Sequence, residues 1–193
     1  MRAAWPLLAL APLAVHAQPI VVRVFAYAPA PAGAAAAGEE IFRRAGVETH
    51  WTTCTPARND CPELREGDIL LKVVRKSWKT GPQRSSFGAA VVDDHSYLGW
   101  VFLDRVQEAA RSNAARAGTI LAHVMAHEVA HLLGLPHAER GIMRAEYDGA
   151  EIRSAETGAL LFTGEEAAEL RAAAIRRRSP SIASTSVPLH LQP

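Results

Sequence analysis

His127-Glu128-Val129-Ala130-His131-Leu132-Leu133-Gly134-Leu135-Pro136-His137 gathers three of the chain's 8 histidines into one short segment. His127 and His131 stand four apart, so on an α-helix their imidazoles leave one face a turn from each other. That spacing lets two ring nitrogens reach one zinc ion at about 2.0–2.1 Å. Gly134 can take the left-handed conformation that ends a helix, and Pro136 stiffens the returning chain. His137 can then arrive as a third ligand. Three protein ligands leave a fourth position open to water, which separates a catalytic zinc from a structural one. Glu128 projects about 100° further round the helix than His127, toward the open side. A carboxylate there can take a proton from an attacking water and pass it to a leaving amine. The competing reading, a histidine-rich core helix without metal, leaves three buried imidazoles unpaired.

Working outward, Thr119 to Leu133 is the clearest long helix, ended by Gly134. Upstream, Ile20 to Tyr27 is β-branched and aromatic and reads as a strand stopped by Pro29 and Pro31. Ala32 to Ala45 suits a helix closed by Gly46. Val47 to Thr52 and Asp68 to Arg75 read as further strands, with the polar loop around Gly81-Pro82 after them. Phe87 to Val92 and Gly99 to Leu103 add two more strands around the turn Asp93-Asp94-His95-Ser96. Val106 to Ala115 suits a short helix interrupted near Gly118. After Pro136 the chain reads as irregular until Thr163-Gly164-Glu165-Glu166, a capping box opening a last helix to about Arg178. Arg176, Arg177 and Arg178 complement the dipole of that helix, and Ser179 to Pro193 is expected to be a loose tail. The expected fold class is α+β, a mixed twisted sheet of about five strands with an early helix, a zinc-binding helix and a C-terminal helix.

Composition bounds the answer. The chain has 193 residues, 21 Lys+Arg against 20 Asp+Glu and a formal charge of +1, which argues against a nucleic-acid partner. Of the 49% hydrophobic residues, 37 are alanines, so the bulky apolar residues make one modest core. Arg2, the apolar run Trp5 to Val15 and Val15-His16-Ala17 read as a secretory signal peptide cut after Ala17. The alternative is an uncleaved anchor, although the run is too short to span about 30 Å of hydrocarbon as a helix. No membrane span is expected in the mature chain, residues 18–178 are expected to form one catalytic domain, and the location is secreted or periplasmic. Cys54 and Cys61 stand seven apart in a turn-rich stretch. In an oxidising compartment they are expected to pair, closing a small loop worth roughly 2.5 kcal/mol.

The segment from Leu121 to His137, with Gly141-Ile142-Met143 downstream, resembles the active site of metzincin zinc endopeptidases, small matrixin-like bacterial proteins most of all. Gly67-Asp68-Ile69-Leu70-Leu71 is similar to the matrixin strand preceding the substrate-binding edge. The resemblance implies His127, His131 and His137 as zinc ligands, Glu128 as general base and acid, and Met143 as the apolar floor of a Met-turn. It also implies that Phe87 to Val92 is the sheet edge to which an extended peptide or protein substrate adds by main-chain hydrogen bonds. Ala138 replaces the Ser, Asp or Glu of better-known subfamilies, only residues 138–142 separate His137 from Met143, and Tyr147 lies four after Met143 rather than two. No cysteine-switch segment and no Asp/Gly-rich calcium loop is recognised.

His123 lies one turn before His127 on the same face and reads as a packing or supporting residue, since three ligands are already supplied. Asp93-Asp94-His95 reads as a polar turn rather than a second metal site. The expected function is that of an exported, monomeric zinc-dependent metalloendopeptidase using one zinc ion. The alternatives are a non-catalytic peptide-binding protein on the same scaffold and a zinc amidase acting on cell-wall peptides.

Overall fold

Alternating burial along Ile69–Val74 sets one face of a sheet against the helices. In the computed structural model, residues 19–58, 61–79, 86–92 and 97–178 are described. The leader, the Gly81-Pro82 loop, the Asp93-Asp94-His95 turn and the tail lie outside them. The strands are β1 (Ile20–Ala26), β2 (Thr49–Cys54), β3 (Ile69–Val74), β4 (Gly88–Val92) and β5 (Tyr97–Phe102). They form one mixed sheet in the order β2-β1-β3-β5-β4, and only the β4–β5 pair is antiparallel. Val22, Val24, Ile69, Leu71, Val73 and Val101 bury one face of it. Arg23, between two buried valines of β1, is held by the Asp68 carboxylate at 3.0 Å, which ties β1 to the start of β3.

Parallel neighbours need a crossover, and α1 (Ala34–Arg44) supplies the one between β1 and β2. Its Phe42 packs against Trp51 of β2 and edge-on against Phe162, with ring centroids 6.0 and 5.2 Å apart. Beside α1, on the same face of the sheet, lies α3 (Ala117–Leu132), and twelve of its sixteen residues are buried. A helix covered on nearly all sides is the centre of the domain rather than its surface. Of the later elements, α4 (Gly149–Glu156) packs against α3, and α5 (Gly164–Arg178) reaches the end of α1 through Arg171, which donates to the Ala45 carbonyl at 2.7 Å.

Three local readings are corrected. α2 (Leu103–Ser112) begins directly at the end of β5, three residues before Val106, and its Asp104 carboxylate accepts the Ser77 amide at 3.1 Å. The break before α3 lies at residues 113–116, where Ala114 is left-handed (φ 50°) and the Asn113 side-chain amide donates to the Ala109 carbonyl. Gly118 sits inside α3. The stretch after Pro136, read as irregular, contains α4, opened by its own capping box: Ala150 donates its amide to Asp148 Oδ1 (2.6 Å) and Asp148 donates its amide to Glu151 Oε2 (3.1 Å). In α5 the expected box forms, with Thr163 and Glu166 exchanging amide-to-side-chain bonds of 2.7 and 3.2 Å. Cys54 and Cys61 are joined, their Cα atoms 4.9 Å apart. Among the described residues no helix is long and apolar enough to cross a membrane.

Candidate active site

The site is built by how α3 ends. Leu135 donates its amide to the Ala130 carbonyl (3.0 Å) and Gly134 donates to that of His131 (2.9 Å), with Gly134 at φ 97°. This paired termination needs a residue without a side chain at the left-handed position. It folds the chain back so that the Leu135 carbonyl accepts from His131 Nδ1 at 2.7 Å. Two residues later His137 faces the helix again. The chain beyond it is pinned by the Ala138 amide donating to the Met143 carbonyl at 2.8 Å. Ile142 and Met143 are fully buried in this turn, and the Ile142 carbonyl accepts from His127 Nδ1 at 2.7 Å.

The three Nε2 atoms converge. His131 Nε2 lies 2.9 Å from that of His127 and 3.1 Å from that of His137. Because the Nδ1 protons of His127 and His131 are given to backbone carbonyls, their Nε2 atoms carry lone pairs facing inward. Burial, reinforced by the two neighbouring rings, pushes the His127 imidazole down to about 4, so it stays neutral. Lone pairs so directed repel unless a cation lies among them. Metal–nitrogen bonds of 2.0–2.1 Å give a tetrahedral edge of about 3.3 Å, close to the spacing found. The donor set therefore fits a borderline metal such as zinc, with a side open to the cleft.

Glu128 is buried, and that burial pushes its carboxyl up to about 8, with the charge of Lys79 acting in the opposite direction. Its carboxylate lies directly against Gly88 of β4, where a Cβ would meet the Glu128 Cδ and the Trp100 carbonyl oxygen, each at 2.6 Å. The cleft above has a volume of about 420 Å³, bounded by Phe87, Gly88 and Ala89 on the β4 side and by Val124, Arg144 and Tyr147 on the other. Tyr147 donates its hydroxyl to the Ile142 carbonyl at 2.6 Å and meets the His127 ring edge-on at 6.0 Å. Burial raises its phenol well above the ordinary range, so it is a donor. Arg144 is held by Asp148 and Glu151.

His123 stays out of the cluster. Its ring lies between the carbonyls of Thr119 (2.8 Å) and Leu160 (3.2 Å), and burial lowers its basicity. Sequence reasoning missed Gly88 and the bond of Tyr147 to Ile142. A glycine opening an edge strand is itself a signal of close approach, whereas nothing in the spacing announces a shared carbonyl.

A mixed sheet with an antiparallel edge over a helix that carries two histidines, with a third returned by the turn after it, is the arrangement of a metzincin-type zinc metallopeptidase. Residues 30–157 match the family model of the matrixins, peptidase family M10, and the chain belongs to that family. The fold is similar to that of archaemetzincin from Methanopyrus kandleri, with a TM-score of 0.61 and 13% identity over 83% of this chain and 98% of that one. No curated protein sequence matches the chain.

Proposed function

We propose that this zinc metallopeptidase is an exported endopeptidase in which His127, His131 and His137 hold one zinc ion and Glu128 moves the proton. The observation that carries the reading is the convergence of three Nε2 atoms next to a buried carboxylate, under the outermost strand of the sheet. Bound there, zinc would acidify a water molecule and polarise the scissile carbonyl. An extended peptide adds to β4 by main-chain hydrogen bonds, which fixes its register over the histidines. Glu128, buried beside the histidines at the foot of the cleft, accepts a proton from the attacking water and returns it to the leaving amine. The apolar leader Trp5 to Val15 and the Cys54–Cys61 bridge support export.

The test is zinc content together with digestion of an unfolded protein. The expected result is one zinc per chain and cleavage at internal bonds, lowered roughly 10²–10⁴-fold by Glu128→Ala and abolished by a chelator. A zinc-loaded chain that cleaves nothing, or that cleaves equally well after Glu128→Ala, would refute it. Digestion confined to cell-wall fragments would identify an amidase instead.

A further inference from the structure

The Ile142 carbonyl has two donors. His127 gives it the Nδ1 proton at 2.7 Å and Tyr147 gives it the hydroxyl at 2.6 Å. The His131 ring has a simpler arrangement, because among the described residues the Leu135 carbonyl takes no side-chain donor besides His131 Nδ1. Resting on the assignment of His127 as a metal ligand, we propose that Tyr147 is a positioning residue for the metal, acting through the carbonyl it shares with His127.

The physical reason is that one hydrogen bond to a carbonyl oxygen leaves the second lone pair free. A peptide group held by one bond can tilt, and the imidazole attached to it tilts as well. With both lone pairs occupied, the plane of the Ile142 peptide is fixed, and so is the direction of the His127 Nε2 lone pair. The fixing is tight because Tyr147 is itself braced. Its ring meets the His127 ring at 6.0 Å, nearly perpendicular, and the ring of Phe87, beside the start of β4, at 6.2 Å. Groups that orient a histidine ligand in this way are typically worth 10–100-fold in metal affinity. Tyr147 thus links the edge where substrate would lie to the first ligand, without touching the metal.

The role differs from two others that the same side chain could have. As a direct ligand it would have to release Ile142 and present a phenolate. As a mere wall of the cleft it would affect substrate binding alone.

The experiment measures zinc affinity of the full chain by competition with a chromophoric chelator, for the wild type and for Tyr147→Phe, which keeps the ring and removes the hydroxyl. The expected result is a 10–100-fold weaker zinc affinity in Tyr147→Phe. Unchanged affinity, whether or not the peptide KM rises, would overturn the proposal. A second measurement needs no variant: the wild type loaded with Cu(II) should show no phenolate-to-copper charge-transfer band, and such a band would overturn the proposal by making Tyr147 a ligand. A wild-type chain that binds no zinc refutes the ligand assignment and this inference together. Wild-type binding with an unaltered Tyr147→Phe variant refutes this inference alone.

Discussion

Gly88→Ala puts one methyl group between the edge strand and the proposed general base. The new Cβ would lie 2.6 Å from the Glu128 Cδ and closer still to its Oε1, while ordinary van der Waals contact begins at 3.4 Å, so the carboxyl must withdraw by at least about 0.8 Å. Displacing a catalytic group by about 1 Å can cost on the order of 100-fold in rate, or roughly 2.7 kcal/mol of barrier. The same methyl meets the Trp100 carbonyl oxygen at 2.6 Å, which strains the β4–β5 pairing at Gly88 and Val101. Overpacking of this kind costs about 1–3 kcal/mol of stability. The assay is kcat and KM on a quenched peptide, with zinc content and the unfolding midpoint measured on the same preparations. The expected outcome is a roughly 100-fold fall in kcat at full zinc content. On a Glu128→Ala background, Gly88→Ala should lower kcat no further, because the group it displaces is already gone. A Gly88→Ala enzyme with wild-type kcat, or an undiminished loss on the Glu128→Ala background, would refute the argument.

Replacing both Cys54 and Cys61 by serine releases a short loop and should lower stability by roughly 2.5 kcal/mol, read by urea denaturation in non-reducing buffer. An unchanged midpoint would show that the bridge does not constrain the unfolded chain. Burial, opposed by the Thr119 and Leu160 carbonyls, lowers the basicity of His123 in the fold below that of an unfolded chain, near 6.5. The unfolded state therefore binds more protons below that pH, and the stability His123 contributes is lost as pH falls from about 6.5 toward its folded value. His123→Gln should flatten this acid limb by up to about 1.4 kcal/mol per pH unit, measured by denaturation at several pH values. Parallel limbs for the two proteins would refute it.

Legibility followed the range of the interactions involved. The capping box at Thr163 is legible because its two partners are three residues apart, and the structure forms it. The same signature at Asp148 and Glu151 is harder to read, because Gly149 and a helix of only eight residues weaken the helical signal there. Propensity puts the break between α2 and α3 near Gly118, the weakest helix former nearby. The left-handed residue is the exposed Ala114, which turns the chain so that the Ala115 amide donates to the Ala110 carbonyl at 2.9 Å.

What the sequence determined by itself is the metal-facing geometry of a few turns. A helix repeats every 3.6 residues and a glycine permits a left-handed turn, so His127, His131 and His137 can meet without help from the rest of the chain. The tertiary structure alone decided what surrounds them. Gly88 reaches Glu128 across the sheet, forty residues away in sequence, and the Ile142 carbonyl returns to His127 only because the turn after His137 is pinned at Ala138 and Met143. Strand order and turn closure are settled by burying one shared core. Contacts of that kind have no fixed spacing along the chain.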